Sequence, residues 1–467
     1  MNGEIFNLSY GQYSNNTLTH LYNYQESLIP YTKETKLTND LNVFLYRSKQ
    51  NDKSINYYPR AIIYELRGGL GSLNKYEYSE NIPAYDMQII NKPTTTTKNE
   101  YQRNLDISGE SNSNLLNTTN TKYWTDFNKL IYNPKSIITT PNYMHNYKDY
   151  GTHYNFPNLK FDIFENGVEE FRNCEFETED NFRYWIEKCD FLQGLQINTS
   201  ISDSWGGFTN SMIEFLQDEF FNNKGNFWIF GDIQTVSKQS TTKISEIKTF
   251  LECFKNSTLF FPLKLDLNSS ILNLDKNSIW QTSCISSIFI NSIWGLNNSI
   301  DDPINMSTLS NLITKDDENR KIINEIKIIN DGNLGDIDYT TIDLNNFEPN
   351  INLGISTTTN NDTKYYSKNI ITSNIDMDID NTNIFNNPTI TNILDVDTFP
   401  KVLKTKDFHT EFNVNSNLKN LLKENKKFIQ RVRNLNIDVR DELIDDISNL
   451  ISIYSSGFES EDEEFYD

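Results

Sequence analysis

Residues 189–212, CDFLQGLQINTSISDSWGGFTNSM, have the order of a buried strand, a glycine turn and a helix. The mostly apolar residues 191–199 are bounded by turn residues, which predicts a core strand. Residues 200–209 are polar and contain Gly206 and Gly207, which predicts a loop. Asn210 is placed to cap the following helix, whose apolar residues largely share one face. Such a turn directs backbone N–H groups and a helix N-terminus at one point, where a phosphate can sit.

The side chains that fill this turn argue against a tight phosphate site. Trp205 and Phe208 put bulk where the backbone must approach a phosphate, and Asp203 adds a negative charge nearby. The sequence therefore predicts a nucleotide-binding type of fold in which the nucleotide site has been altered.

Composition limits the classes of function that fit. The chain has 467 residues, enough for two or three domains, and its 13% aromatic content predicts substantial cores. A net charge of −22 disfavours direct nucleic-acid binding. The four cysteines are widely spread, which predicts reduced thiols, and the four histidines lack metal-ligand spacing, so no metal site is expected.

The sequence also predicts where the protein resides. It has no run of about 20 apolar residues, so we expect no transmembrane segment. Its N-terminal region lacks a secretory apolar stretch and has no arginine before Arg47, so import by a cleaved presequence is not expected. We expect the cytosol or the cytosolic face of an organelle.

Other strand and glycine patterns repeat the opening motif. Residues 4–8 read as a first strand, residues 9–16 as a turn, and residues 17–25 as a helix. Residues 61–66 form a further predicted strand, followed by a loop that contains Gly68, and residues 226–230 form another. This alternation predicts an open parallel α/β sheet, whose three loops border one crevice at the carboxyl ends of the strands.

Changes in composition divide the remainder of the chain. We expect a mobile polar insert beginning at residue 91, a long solvated stretch over residues 357–380, and a helix capped by Ser416 before a last helix over residues 439–454. The predicted parts are an N-terminal α/β domain (1–255, with the polar insert about 91–122), an intermediate α+β domain (256–400, with an Asn/Asp-rich insertion about 300–400), a C-terminal helical segment (401–458) and an acidic tail (459–467).

A run of basic residues marks the first C-terminal helix. Its members are Lys419, Lys423, Lys426, Lys427, Arg431 and Arg433. A solvated helix face explains such a run, and binding of an acidic partner or an anionic membrane is the alternative.

These loops, in this order, resemble those of tubulin. Residues 4–16, EIFNLSYGQYSNN, resemble its first strand and nucleotide loop, residues 58–69 resemble its third loop, and residues 189–196 resemble the string before its glycine-rich fourth loop. Where tubulin has GGGTGSG, this chain has WGGFTNS. GQYSN, GGLGSL, DSWGGFT and WQTSCISS are all similar to the Misato family, a divergent branch of the tubulin-like proteins.

The resemblance implies a tubulin-like fold and a vestigial nucleotide crevice. Its candidate residues are Gly11, Gln12, Asn15, Gly68, Gly206, Gly207 and Thr209. Arg67 stands where tubulin has an acid that holds Mg²⁺ through water, and an arginine cannot ligate magnesium. The activating N-x-D-x-x-E loop has no counterpart between Gly207 and the Asn-rich insertion; its nearest imitation is NIDVRD at residues 436–441. We therefore expect no required cofactor, with GTP binding left open and GTP hydrolysis not expected.

Resemblance to Misato also implies a function. It implies a role in partitioning mitochondria and inheriting mitochondrial DNA, at the cytosolic face of the mitochondrion and in the cytoplasm. Implied partners are the mitochondrial surface, the tubulin chaperonin and prefoldin. The alternatives are an active, polymerising tubulin-like GTPase and a cytosolic cofactor of tubulin folding and spindle microtubule assembly.

Overall fold

A computed structural model describes residues 2–30, 37–49, 55–77, 96–147, 151–222, 224–234, 239–267, 269, 272–331, 350–356, 363–374, 379–404, 406–433 and 435–455. The strands are β1 (Glu4–Tyr10), β2 (Leu45–Lys49), β3 (Ile55–Pro59), β4 (Ala61–Arg67), β5 (Ile137–Met144), β6 (Thr152–His153), β7 (Leu192–Ser200), β8 (Phe227–Asp232), β9 (Leu259–Leu263), β10 (Glu325–Asn330), β11 (Ile351–Asn352), β12 (Tyr365–Ser367), β13 (Asn369–Thr372), β14 (Asn383–Asn386) and β15 (Phe408–Asn415). The helices are α1 (Gly11–Ser27), α2 (Glu100–Ser108), α3 (Phe164–Ile186), α4 (Trp205–Leu216), α5 (Ser240–Asn256), α6 (Ile279–Asn297), α7 (Met306–Thr314), α8 (Leu418–Arg431) and α9 (Ile437–Tyr454). None of these helices is both long and apolar enough to span a lipid bilayer.

A seven-stranded sheet forms the N-terminal part, in the order β6-β5-β4-β1-β7-β8-β9. All of its pairs are parallel except β5 with β6. Every residue of β1 is buried, as expected for a central strand covered by helices on both faces. The predicted parallel α/β sheet is confirmed, and it brings the ends of β4, β1 and β7 side by side.

A six-stranded sheet follows, in the order β11-β10-β15-β13-β14 with β12 also paired to β15. The long helix α6 joins the two sheets. On α6, the Phe289 ring centroid lies 5.9 Å from that of Phe261 in the first sheet and 6.0 Å from that of Phe412 in the second. The two sheets therefore share one hydrophobic core around α6.

A helical hairpin formed by α8 and α9 closes the described chain. Leu422 and Ile429 of α8 and Leu443 and Ile447 of α9 are buried. The two predicted C-terminal helices are confirmed. The helix cap is not Ser416: α8 begins after Asn417, and the Ser416 hydroxyl instead accepts a hydrogen bond from the Lys364 backbone N–H at 3.1 Å.

The two predicted glycine turns are shorter than expected. β1 runs on to Tyr10 and α1 begins at Gly11, so the predicted turn over residues 9–16 is wrong. A φ of +78° at Gly11 allows one residue to turn the strand into the helix. Likewise α4 begins at Trp205, so residues 205–209 are helical and Asn210 is not a cap.

The polar insert contains a helix that the sequence analysis missed. The Asn99 side chain caps α2 by accepting a hydrogen bond from the Gln102 backbone N–H at 2.8 Å, and Gly109, with a φ of +69°, ends it. An asparagine cap and a glycine stop are the signals that would have predicted this helix. The expected mobile insert is thus helical over Glu100–Ser108; its residues 91–95 lie outside the described chain.

Much of the Asn/Asp-rich region is also folded. β13 is buried throughout and lies inside the predicted solvated stretch 357–380, so that prediction is wrong for residues 365–372. Buried asparagines are paired there: the Asn369 side chain donates to the Phe412 carbonyl at 2.9 Å, and Asn324 donates to Asn415 at 2.7 Å. Hydrogen bonding allows an Asn-rich sequence to enter a core. Residues 332–349, 357–362, 375–378 and the acidic tail lie outside the described chain.

A buried ion pair ties β1 to the segment before β7. The Arg60 guanidinium lies 3.6 Å from the Glu4 carboxylate and donates to the Asn42 and Lys188 carbonyls at 3.0 and 2.9 Å. Glu4 in turn accepts the Phe191 backbone N–H at 2.7 Å. These contacts satisfy both charges in a largely buried position.

We expect Arg60→Met to lower the free energy of unfolding by about 3–5 kcal/mol, because it leaves the Glu4 carboxylate buried without its partner. Urea unfolding measures this loss. Arg47→Met, on the exposed side of the β2–β3 hairpin, is the control and should change stability by no more than about 0.5 kcal/mol. Equal, small losses in the two variants would contradict the assignment of Arg60 as a core anchor.

Candidate nucleotide crevice

The candidate crevice lies at the carboxyl edge of the seven-stranded sheet. Because β1 pairs with both β4 and β7, the turns after Tyr10, Arg67 and Ser200 are neighbours. Gly11, Gly68 and residues 201–205 therefore border one place, where α/β sheets bind ligands.

The Trp205 indole covers the N-terminus of α1. A Cβ atom on Gly11 would lie 2.3 Å from Trp205 Nε1 and 2.8 Å from its Cδ1. Trp205 is 4% exposed, and its ring centroid lies 5.0 Å from that of Phe161 and 5.4 Å from that of Phe208. Position 11 therefore requires glycine, because its φ is positive and the Trp205 ring leaves no room for a Cβ atom. The indole lies against the helix end where a phosphate would bind.

Gln12 and Asn15 bind a buried carboxyl group rather than open space. Their side-chain amides each donate to Glu65 Oε2 at 2.9 Å, and Gln12 also donates to the Gly69 carbonyl. The Leu66 backbone N–H donates to Glu65 Oε1 at 2.9 Å. Burial raises the pKa of Glu65 to about 8, against the lowering effect of these hydrogen bonds. Glu65 is the central residue of this network.

Sequence analysis did not single out Glu65. The available signal was a lone carboxylate inside the otherwise apolar strand AIIYELR. A buried carboxyl group needs hydrogen-bond partners, and residues 12 and 15 supply them from the next element.

Gly206 and Gly207 pack helices together. A Cβ atom on Gly206 would lie 2.1 Å from Thr249 Oγ1 of α5, and one on Gly207 would lie 1.9 Å from the Phe164 carbonyl oxygen of α3. Gly167 of α3 has the reciprocal contact, 1.8 Å from the Ser204 carbonyl oxygen. These glycines allow α4 to approach its neighbours closely.

Thr209 is likewise an internal residue. Its hydroxyl lies 2.7 Å from the Thr199 hydroxyl, and both residues are fully buried. Gly68 differs from the other candidates: it is exposed, has a φ of +85°, and no atom lies within 4 Å of the position of a Cβ. Of the seven predicted site residues, Gly11, Gln12 and Asn15 meet around Trp205 and Glu65, whereas Gly206, Gly207 and Thr209 serve packing.

Asp203 occupies the N-terminus of α4. Its carboxylate accepts the Trp205 backbone N–H at 2.9 Å, where the helix dipole favours negative charge. Burial nevertheless raises the pKa of Asp203 to about 7. The chain's own carboxyl group thus fills the helix-end position that an anionic ligand would use.

A third carboxyl group, Asp232, ends β8. Burial raises the pKa of Asp232 well above its usual range, the hydroxyls of Ser14 and Ser286 oppose that rise, and Asp203 adds to it. Asp203 also raises the pKa of Glu65. Asp203 is therefore close enough to act on both of the other carboxyl groups, and burial favours the neutral form of all three. In the described part of the chain, His, Cys, Asp and Glu side chains form no group of three that could hold a metal ion.

We expect stability to depend on pH through Glu65. Below pH 4.5, its pKa in the unfolded chain, the Glu65 carboxyl group is protonated in both the folded and the unfolded state. The neutral buried carboxyl group then makes its full contribution to stability. As pH rises toward the folded pKa of about 8, the unfolded chain releases the proton while the folded chain retains it. The contribution of Glu65 to stability is therefore lost over this pH range. Between pH 4.5 and 8, urea unfolding should show wild-type stability falling by on the order of 3 kcal/mol more than that of Glu65→Gln.

Glu175→Gln, at an exposed position of α3, is the matched control and should follow the wild-type pH profile. A Glu65→Gln profile parallel to wild type would contradict the raised pKa.

Comparisons with known proteins agree with this architecture. The family model of the Misato Segment II tubulin-like domain matches residues 3–126, and that of a tubulin domain matches residues 113–296. Protein DML1 of Candida albicans is 40% identical over 575 aligned residues, which cover 99% of this chain and 100% of that protein. The chain belongs to the Misato family of tubulin-like proteins. Both the predicted family and the predicted fold class are confirmed.

Other fungal relatives of this Misato-family chain carry the same name. Protein DML1 of Debaryomyces hansenii is 36% identical over 492 residues, covering 99% of each chain. Protein DML1 of Gibberella zeae is 34% identical over 302 residues, covering 60% of this chain and 58% of that protein. The similarity to the first two extends over nearly the whole length of both proteins.

Two further residues that the sequence analysis compared with tubulin make contacts within this Misato-family chain. The Arg67 guanidinium lies 5.4 Å from the ring centroid of Tyr154, on the exposed edge of the sheet. In the NIDVRD segment, the Asn436 side chain accepts the Asp438 backbone N–H at 3.0 Å and so caps α9. Asn436 therefore has a structural role in the C-terminal hairpin.

Proposed function

We propose that this protein is a non-catalytic, tubulin-like binding or scaffold protein that acts in partitioning mitochondria and inheriting mitochondrial DNA. The contact between the Trp205 indole and Gly11 carries the non-catalytic part of the proposal. A phosphate at the N-terminus of α1 would have to displace a buried aromatic ring from its packing against Phe161 and Phe208.

The polar groups at the crevice support the same part of the proposal. Asp203 and Asp232 lie at the crevice with Glu65, and burial favours the neutral form of all three. The triphosphate group of GTP needs cationic or backbone N–H partners. Here the Trp205 N–H at the end of α4 is bonded to Asp203, so the residues present do not fit GTP with magnesium.

Family membership supports the cellular part of the proposal. Resemblance to Misato is the reason to expect action at the cytosolic face of the mitochondrion and in the cytoplasm. It is also the reason to expect the tubulin chaperonin and prefoldin as partners. A fold can outlast its catalytic site and retain a binding function.

Titration calorimetry of the purified protein with GTP and Mg²⁺ tests the non-catalytic part. We expect no saturable binding up to millimolar GTP, no phosphate release, and no GTP-dependent sedimentation. Purified tubulin under the same conditions is the positive control. Filaments that require GTP would overturn the proposal in favour of a polymerising GTPase.

Rapid depletion of the protein in cells tests the cellular part. We expect daughter cells to lose mitochondrial DNA before tubulin levels change. Early loss of folded tubulin, with mitochondrial DNA inherited normally, would instead identify a cofactor of tubulin folding. Re-expression of the wild-type chain should restore inheritance, which controls for the depletion itself.

A further inference from the structure

Helix α8 presents a row of cations to solvent. Lys423, Lys427 and Arg431 follow one another at four-residue spacing, on the face opposite the buried Leu422 and Ile429. Within the described residues, these three cations form no ion pair with a carboxylate, and Lys427 and Arg431 are exposed. An unneutralised basic row stands out in a chain whose net charge is −22.

Neighbouring charges strengthen this surface. Lys426 lies beside the row, Arg433 follows the helix, and Glu424 is the carboxylate that α8 itself carries. We call Lys423, Lys426, Lys427, Arg431 and Arg433 the basic face. It is a candidate docking surface for a polyanionic partner.

The last described residue, Ser455, lies near the start of α8. The Tyr366 hydroxyl donates to the Tyr454 carbonyl at 3.0 Å, and Arg320 Nε donates to the Ile453 carbonyl at 3.3 Å. These contacts hold the end of α9 next to β12, which pairs with β15, the strand that leads into α8. The residues after Ser455 therefore start close to one end of the basic face.

The residues after Ser455 are long enough to reach the basic face and carry the opposite charge. Residues 456–467, SGFESEDEEFYD, contain six carboxylates and no cation. Twelve extended residues span about 40 Å, whereas the 14 residues of α8 span about 21 Å. Tethering also gives such a segment an effective concentration in the millimolar range, far above that of a free partner.

We infer that the tail formed by residues 456–467, the acidic residues 459–467 with the three residues before them, binds the basic face of α8 in the same molecule. Each solvent-exposed ion pair contributes little alone, so the contact depends on several pairs at once and weakens with salt.

Amine labelling of the intact protein tests this contact. Lysine acetylation rates are measured by mass spectrometry for the full chain and for a chain that ends at Ser455. At low salt, removing the tail should raise the rates at Lys423, Lys426 and Lys427 at least about threefold, because carboxylates paired with the amines shield them from the reagent. The exposed Lys224 and Lys276 should not change.

Further measurements distinguish binding of the tail within one molecule from binding by a second copy of the chain. A full-length variant with neutral amides at its tail carboxylates should label like the truncated chain, and 0.5 M salt should remove the difference between wild type and truncation. Protection that survives hundredfold dilution supports binding within one molecule. Protection lost on dilution would show a second copy as the occupant and overturn the inference, as would equal labelling with and without the tail.

A structural role for the tail would be visible separately. Residues 456–467 lie outside the described chain, and thermal unfolding of the truncated protein should match that of the full chain. A large drop in melting temperature, together with faster labelling at every lysine, would mean that the tail supports the fold, and would overturn the inference.

Discussion

Gly207→Ala is expected to lower the free energy of unfolding by about 3 kcal/mol or more, at or above the top of the usual range for overpacking. The new methyl group would lie 1.9 Å from the Phe164 carbonyl oxygen, and that atom belongs to backbone rather than to a side chain that can rotate away. α3 and α4 must therefore separate. Loss of helical signal on heating and urea unfolding both measure the effect.

Gly68→Ala and Gly109→Ala are the matched controls. Both glycines have positive φ, and no atom lies within 4 Å of the position of a Cβ at either one. Each variant should therefore cost only the strain of a left-handed alanine, about 1–2 kcal/mol. If Gly207→Ala were no worse than these two, the close approach of α3 and α4 would be refuted.

This prediction changes how a nucleotide-binding test must be designed. Gly206→Ala/Gly207→Ala is the obvious variant with which to probe a phosphate loop, but both glycines contact neighbouring helices. Loss of any activity in that variant would report unfolding. A glycine pair before a helix is thus compatible with two roles, and the sequence gives no distance to a neighbouring helix that would decide between them.

The order of strands and helices was predictable because it depends on local patterns. The apolar runs of β7 and β8 and the glycines after the strands predicted parallel pairing and a shared crevice. Helix starts were less predictable. Tyr10, which precedes α1, is not a capping residue type, so the usual signal for a helix start is absent there; α4 does follow Asp203 and Ser204, but the glycines at 206 and 207 favoured a loop.

The interior of the crevice depends on contacts between residues far apart in the chain. The Gln12–Glu65 and Gly11–Trp205 contacts join segments about 50 and 190 residues apart. Composition also misled where asparagine is abundant. It predicted solvation around Asn369, whereas that side chain is buried and bonded to the Phe412 carbonyl. Polarity alone does not predict exposure when backbone partners are available.

Trp205→Ala is expected to lower the free energy of unfolding by about 3–5 kcal/mol, as usual for loss of a large buried aromatic side chain. The indole is 4% exposed and packs against Tyr10, Phe161 and Phe208, so its removal leaves a cavity beside Gly11. Phe176→Ala is the control, because Phe176 is 85% exposed and should change stability little.

The same variant separates the steric block from the electrostatic one. Removing the indole opens the N-terminus of α1. Asp203 still accepts the hydrogen bond from the backbone N–H of residue 205, and Asp232 remains at the end of β8. We therefore expect Trp205→Ala to bind no GTP, and Trp205→Ala/Asp203→Asn to bind it weakly if at all. Micromolar GTP binding by Trp205→Ala alone would mean that the ring is the sole barrier, because the contact of Asp203 with the N-terminus of α4 would then not keep a triphosphate out.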